Sequence, residues 1–296
     1  MENTLKNQPV PSQSLLGRYF QFLRMPNLIE APMNLGFNRI RNNVLRLYAS
    51  HLLVVLLIGI VISQVIPGTD YSLMQDMLSN LPVWLTLFLV VVMAPILEEG
   101  IFRLPLRPSV LSISISISIV LIYLFGVFSA NLPLSFVVGF MLLGFNVYLA
   151  TRSLKVVRLQ QLYTRFPRLI FYLSAILFGA IHIGNYDSRV WAFMPLLVLP
   201  QLVLGLFLGF VRVRYGLSWA IFAHAFHNGC VMAPFLLLLG LGSSELRAQI
   251  GQNMVFESLT LLDKLLVTGL VFYFIGGLVI CIMTAGKVIR EWQHAA

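Results

Sequence analysis

Two adjacent carboxylates and an arginine are the residues best suited to chemistry, because they interrupt a long apolar stretch: Glu98, Glu99 and Arg103. Residues four apart share one helix face, so Glu99 is predicted to pair with Arg103, which leaves Glu98 as the unpaired carboxylate. Such a carboxylate is suited to act as a general base. Pro95 removes a helix hydrogen bond just before the pair and is predicted to open the backbone. The alternative is a charge cluster that caps a helix end at the membrane interface.

Two histidine motifs follow later in the chain. His182 comes four residues after Phe178, and taken alone it is explained as well by an interhelical hydrogen bond as by catalysis. His224 and Asn228, with His227 between them, share a helix face one turn apart. Such a pair could bind a developing oxyanion or join neighbouring helices.

The composition places these motifs in a membrane. Of the 296 residues, 58% are hydrophobic and only 10% are charged, whereas soluble domains carry about a quarter charged residues. Apolar runs long enough to cross a bilayer recur along the whole chain. The net charge of +9 is spread over short connections with no nucleic-acid motif, so we expect contact with anionic lipid and no nucleic-acid partner.

The apolar runs predict an all-α, polytopic membrane protein of about eight transmembrane helices. The predicted spans are Tyr48 to Ile66, Leu81 to Leu106, Ser109 to Phe128, Leu134 to Ala150, Leu169 to Gly184, Ala192 to Val211, Leu217 to Gly240, and Leu265 to Ala285. The third span alternates Ser with apolar residues, but a helix is preferred because Ser hydroxyls can bond to carbonyls one turn earlier, whereas a lone strand would leave its backbone unpaired in lipid. Gly205 and Gly209 form a GxxxG pattern that predicts close helix packing.

The basic residues predict the orientation. With a cytoplasmic N-terminus, 17 of the 20 basic residues fall in inside segments, and only Arg189, Arg247 and Lys264 lie outside. Both termini are therefore predicted to be cytoplasmic. The predicted organisation is a basic segment over 1–47, with an interfacial helix or a loosely ordered tail, then a membrane domain over 48–286 and a short cytoplasmic tail over 287–296.

Depth in the bilayer is consistent with one shared site. At 1.5 Å rise per residue from the nearest basic boundary, Glu98 lies about 14 Å deep, His182 about 21 Å and His224 about 15 Å. Tilt and boundary shifts accommodate this spread, so the sequence predicts a common cavity near the bilayer middle.

The three motifs resemble, in order, those of the CPBP intramembrane protease family, which includes CAAX prenyl endopeptidases and bacteriocin-immunity relatives. The resembling residues are Glu98-Glu99-x-x-x-Arg103, Phe178-x-x-x-His182 and His224-x-x-x-Asn228. The resemblance covers about residues 81–240. Two departures are Leu104, where many relatives carry Gly, and the two extra spans between Glu99 and His182 relative to some members.

The resemblance implies an intramembrane endopeptidase acting on a peptide or on a prenylated or otherwise lipidated protein, in the inner membrane if the source is bacterial. Glu98 and His182 would activate a water, and Glu99 with Arg103 would order the site. His224 and Asn228 would stabilise the oxyanion.

The residues leave the cofactor and the function class open. No cofactor is favoured, although Glu98, His182 and His224 could together hold Zn²⁺ with an open position for water; the spacing of a dedicated zinc helix is absent. A proton- or ion-coupled transporter also needs buried Glu and His, but the sequence lacks internal repeats. A catalytically silent membrane partner is the third hypothesis.

Overall fold

The computed structural model describes residues 14–66, 81–129, 132–151, 157–186, 188–249 and 255–295, and its regular structure there is helical without a β-strand. The predicted all-α class is confirmed. The first helices are α1 (Leu15–Arg24), α2 (Phe37–Val65), α3 (Val83–Phe88), α4 (Ala94–Phe102), α5 (Val110–Ser129), α6 (Leu132–Thr151) and α7 (Val157–Arg165). The later helices are α8 (Pro167–Ile181), α9 (Met194–Leu197), α10 (Leu199–Tyr215), α11 (Leu217–Val231), α12 (Ala233–Leu241), α13 (Ser244–Gln249) and α14 (Leu261–Ala295).

Several of these helices are long and apolar enough to cross a membrane, so the chain is an integral membrane protein. In the described residues five spans meet the length and hydropathy requirements, and the α11–α12 pair, bent by 42°, makes a sixth if it is one span. The apolar parts of α5 and α6, Val110–Phe125 and Val137–Leu149, are shorter. Each predicted span coincides with a helical segment, while the count of eight and the orientation remain predictions.

Three basic residues used for the orientation, Lys6, Arg152 and Lys155, lie outside the described residues. The predicted boundary at Tyr48 falls inside a helix, because α2 begins at Phe37 and its polar first turns continue without a break into the apolar part.

The N-terminal segment contains the predicted short helix. Ser14 caps α1 by accepting a hydrogen bond from the backbone N–H of Gly17 at 3.1 Å. Phe22 on α1 is buried between the rings of Phe171 and Phe210, with ring centroids 5.2 and 5.3 Å away. The apolar face of α1 therefore packs against the protein itself.

The serine-rich third span is the helix α5, as predicted. Ser116 and Ser118 donate to the carbonyls of Ser112 and Ser114, at 2.9 and 2.8 Å. Ser116 also reaches the carbonyl of Gly100 at 2.7 Å. These buried hydroxyls are thus satisfied by carbonyls, and the Ser116–Gly100 bond joins α5 to α4.

The helix α10 forms the centre of the bundle and packs against α8, α11 and α2. A Cβ added to Gly205 would lie 3.3 Å from the Ala175 backbone, and one added to Gly209 would lie 2.7 Å from Phe171. The GxxxG pair therefore permits the close approach of α8, which confirms the packing interpretation.

Candidate active site

An ionic cluster joins α4 to α11 inside the bundle. Glu99 Oε1 lies 3.0 Å from His224 Nδ1 and 3.5 Å from Arg103 Nη1. The side chains of Glu99 and Arg103 are fully buried, and that of His224 is 3% exposed. The predicted Glu99–Arg103 pair is confirmed, and it is completed by a histidine 125 residues away in sequence. Burial of these charges is tolerated because they compensate each other.

The guanidinium of Arg103 contacts an aromatic ring as well as a carboxylate. Its Cζ lies 3.9 Å from the centroid of the Phe178 ring, which is a cation–π geometry. In the described residues none of the Arg103 side-chain nitrogens has a hydrogen-bond partner. The charge of Arg103 is therefore balanced by Glu99 and by the ring of Phe178.

Glu98 occupies the more open side of the cluster. Its side chain is 22% exposed, and its Oε2 lies 3.7 Å from Nε2 of His224. As predicted, Glu98 has no ionic partner on its own helix. It does have one on another helix, because α11 places His224 between the two carboxylates. Neighbouring residues on α4 point about 100° apart, and one imidazole with two nitrogens spans that angle.

His182 approaches the cluster through Phe178. It follows the end of α8 as the first residue of a 3₁₀ turn, and its Nδ1 lies 2.8 Å from the carbonyl of Phe178. The rings of His182 and His224 lie 4.9 and 5.6 Å from the Phe178 ring, both edge-on. When Nδ1 donates to that carbonyl, Nε2 of His182 remains available for a water or a substrate.

Asn228 contacts the segment that precedes the two carboxylates. A π-helical turn, Leu89–Met93, ends two residues before Pro95, and the N–H of Ala94 bonds to the carbonyl of Leu89. The next π-type bond would run from residue 95 to Val90, but proline has no N–H. The Asn228 amide supplies the missing donor, 2.8 Å from the Val90 oxygen. The opening of the backbone predicted from Pro95 is confirmed, and the second Asn228 N–H has no partner among the described residues.

Two arginines fix the ends of the helices that carry and support the cluster. Arg212 Nε donates to the carbonyl of Arg103 at 2.9 Å, and its Nη2 reaches the carbonyl of Leu104 at 3.3 Å. In return, Arg107 donates to the carbonyl of Val213 at 2.7 Å. Each arginine thus donates to backbone carbonyls at or just after the end of the other helix, where the regular helical bonds stop. The α4 and α10 ends are thereby held in register.

A second buried group lies next to the cluster around His227, which points about 60° around α11 from His224. The hydroxyl of Tyr48 is 3.3 Å from Nδ1 of His227, and His51 stacks on Phe207 with ring centroids 5.3 Å apart. His51 Nε2 is buried without a hydrogen-bond partner in the described structure. These contacts anchor α2 to the helix that presents His224.

The zinc hypothesis concerns Glu98, His182 and His224. In the part of the chain that the structure describes, no three His, Cys, Asp or Glu side chains are arranged to hold a metal ion. His224 instead uses both nitrogens toward Glu98 and Glu99.

Most of the clustered residues are predictable from the sequence, but several of their contacts are not. The aromatic role of Phe178, the capping by Arg212 and the acceptor at Val90 were not predicted. Arg212 could have been found as a charged residue near the end of an otherwise apolar helix. The Val90 carbonyl could have been found because Pro95, five residues later, has no N–H to donate to it.

A known protein family matches the segment of the chain that contains this site. A family model described as type II CAAX prenyl endopeptidase, Rce1-like, matches residues 80–230, slightly more than half of the 296 residues. The matched segment contains all six predicted site residues. No curated protein and no solved structure matches the chain.

Proposed function

Because the chain belongs to the Rce1-like family of type II CAAX prenyl endopeptidases, we propose that it is an intramembrane endopeptidase that cleaves a prenylated protein substrate. The observation that carries this proposal is the contact between the two carboxylates of α4 and His224 of α11, inside an integral membrane protein. Ionisable groups are costly within a bilayer, so a buried arrangement of this kind supports a functional role.

Exposure divides the site into groups that can touch a substrate and groups that cannot. Glu98, at 22% side-chain exposure, and the half-buried His182 are accessible. Glu99 and Arg103 are fully buried, so their role is to position His224. This division supports Glu98 and His182 as the residues that activate the water.

The proposed reaction begins with a water between Glu98 and His182. Glu98 accepts a proton as the water oxygen attacks the carbonyl carbon of the scissile peptide bond. The carbonyl oxygen becomes an oxyanion, and the tetrahedral intermediate then collapses as the C–N bond breaks. The proton held by Glu98 passes to the departing nitrogen, so the products are an amine and a carboxylic acid, which ionises by releasing the second proton of the water.

Two donors are proposed for the oxyanion. Nδ1 of His224 donates to Glu99, and Nε2, which faces Glu98 and the reacting atoms, is the second donor in the imidazolium form of the ring. Asn228 lies one turn further along α11 and keeps one amide N–H after bonding to Val90. Donors fixed in advance stabilise charge that develops in the transition state without reorganising.

The direct test replaces the base without changing the shape of its side chain. We expect purified Glu98→Gln protein in liposomes to show no detectable cleavage of a farnesylated CAAX peptide, because an amide cannot accept the proton. Glu245→Gln, which alters an exposed carboxylate on α13, is the matched control and should keep the wild-type rate. Fragments are quantified by mass spectrometry, and detergent melting confirms that both variants fold.

Two results would contradict the proposal. One is cleavage by folded Glu98→Gln protein at the wild-type rate. The other is a wild-type protein that moves an ion across the liposome membrane and cleaves neither the farnesylated nor the unmodified peptide.

A further inference from the structure

An apolar groove runs between α2, α11 and α14, away from the ionic cluster. Its volume is about 780 Å³, and its walls include Leu52, Leu56, Phe226 and Phe272. This volume lies within the range of about 300–1,000 Å³ that is usual for small-molecule sites. Only 6% of the most apolar window of the α14 span is buried, so the groove opens toward the lipid.

The groove lies on the opposite face of α11 from the residues proposed for catalysis. At 3.6 residues per turn, Phe226 and Cys230 point about 200° and 240° around the helix from His224. Asn228 points only about 40° away from His224. A substrate held at the ionic cluster therefore meets a different face of α11 from the one that lines this groove.

The length of the groove corresponds to one leaflet of a bilayer. Its wall on α2 runs from Asn42 and Arg46 at one end to Leu56 at the other. From Leu45 to Leu56 the apolar part spans about 16 Å, close to half of a hydrocarbon core of about 30 Å. One acyl chain fits this length.

The charged side chain that lines the groove, Arg46, lies at one end of it. Arg46 and Asn42 line it there, and Arg39 follows the same face of α2 two turns earlier and is exposed. Glu291 on α14 pairs with Arg46 at 2.6 Å, and both side chains remain partly exposed. Cationic side chains next to an apolar groove match a lipid with an anionic headgroup.

From this length, polarity and position we propose that the groove binds one acyl chain of an anionic membrane phospholipid, with the headgroup at Arg46. The bound lipid fills the space behind α11, the helix that presents His224. It is a site separate from the proposed protease site, so its test does not depend on proteolysis.

The two cysteines of the chain make the first test possible in the unmodified protein. Cys230 and Cys281 are both free and both line the groove. In delipidated, detergent-solubilised protein, phosphatidylglycerol should slow maleimide labelling of these thiols. We expect phosphatidylcholine with the same chains to require about fivefold higher concentration, as one favourable cation–headgroup contact implies.

A pair of variants separates the headgroup charge from the ion pair. Arg46→Gln and Glu291→Gln both remove the 2.6 Å contact, but only Arg46→Gln removes the cation. We expect Arg46→Gln to lose the preference for phosphatidylglycerol and Glu291→Gln to keep or increase it. Equal loss in both variants would overturn the proposal.

A second pair tests the groove itself. Gly277 lines the groove and Gly269 does not, and a Cβ at either position meets no atom within 4 Å. Leucine at either position also favours the helix, so folding should not suffer. Native mass spectrometry should show a bound phosphatidylglycerol in wild type and Gly269→Leu and none in Gly277→Leu.

Three further results would overturn the proposal. They are equal thiol protection by phosphatidylcholine and phosphatidylglycerol, stronger protection by a farnesylated peptide than by phosphatidylglycerol, and a lipid-free dimer whose thiols are already protected. The second would make the groove a substrate site, and the third would make it an interface between two copies.

Discussion

The spans that contain α10 and α14 have similar hydropathies and different surroundings. Their most apolar windows have mean hydropathies of 2.2 and 2.6, yet 50% of the first window and 6% of the second are buried. The first, Arg189–Tyr215, lies within the bundle, whereas the second, Leu261–His294, lies mostly at its surface. Apolar residues suit both settings equally, so hydropathy does not distinguish a core helix from a peripheral one. The ionic cluster lies with the core helices, where protein charges and rings compensate its charges.

The largest expected effect is on catalysis in the core. His182→Ala should abolish cleavage of a farnesylated peptide, because the water loses the side chain that orients it opposite Glu98. The His294→Ala variant, which changes an exposed histidine near the end of α14, should cleave at the wild-type rate. Cleavage is followed by mass spectrometry in liposomes. Substantial activity in folded His182→Ala protein would remove His182 from the mechanism.

Buried and exposed ion pairs should differ in their contribution to stability. Arg103→Leu leaves the fully buried Glu99 without its cation and should lower the free energy of unfolding by about 3–5 kcal/mol. Arg46→Leu breaks the exposed pair with Glu291 and should change it by about 0–1 kcal/mol. Detergent or urea unfolding monitored by circular dichroism measures both values. Equal losses would contradict the contrast between core and periphery.

The loss of an oxyanion donor should weaken cleavage without abolishing it. We expect Asn228→Ala to reduce kcat about 10²- to 10³-fold, which is the usual effect of removing one such donor. Asn228 also satisfies the Val90 carbonyl, so a structural role must be separated from a catalytic one.

The control for Asn228 is the double variant Pro95→Ala/Asn228→Ala. Alanine at position 95 restores a backbone N–H that can bond to the Val90 carbonyl. If the double variant recovers the wild-type rate, Asn228 acts only by satisfying the backbone. If kcat stays low while the melting temperature recovers, Asn228 acts on the reaction.

Replacing one glycine in each of the two spans should give a smaller difference in stability. A Cβ at Gly209 would lie 2.7 Å from buried Phe171, whereas a Cβ at Gly269 meets nothing within 4 Å. Gly209→Ala should therefore destabilise the protein by about 1–3 kcal/mol through overpacking. Gly269→Ala should leave stability unchanged or raise it by up to about 1 kcal/mol through helix propensity. A lower melting temperature for Gly269→Ala than for Gly209→Ala would contradict the assignment of core and periphery.

The smallest expected effect is that of metal removal. We expect cleavage to continue at the untreated rate after incubation with a strong chelator, because a Glu98–His182 pair can activate water without a metal. Activity that is lost on chelation and restored by stoichiometric Zn²⁺ would make Glu98, His182 and His224 metal ligands.

Local sequence patterns are enough to predict several features of the site. The four-residue spacing of Glu99 and Arg103 predicts their pairing, because a helix fixes which neighbours share a face. Pro95 predicts an opened backbone, and Gly205 with Gly209 predicts a close helix contact. The first two predictions depend on geometry within a single helix, and the third depends on glycine having no side chain.

The tertiary structure decided what spacing along one helix cannot specify. The contact between Glu99 and His224 joins residues 125 positions apart, and Asn228 reaches Val90 across 138 positions. Phe178 acquires its role only because Arg103 and both histidines surround its ring. Which apolar face meets protein and which meets lipid was likewise decided by packing. The sequence by itself determined the helices and the residue pairs within them, because backbone hydrogen bonding in lipid is local, and helix packing determined the site.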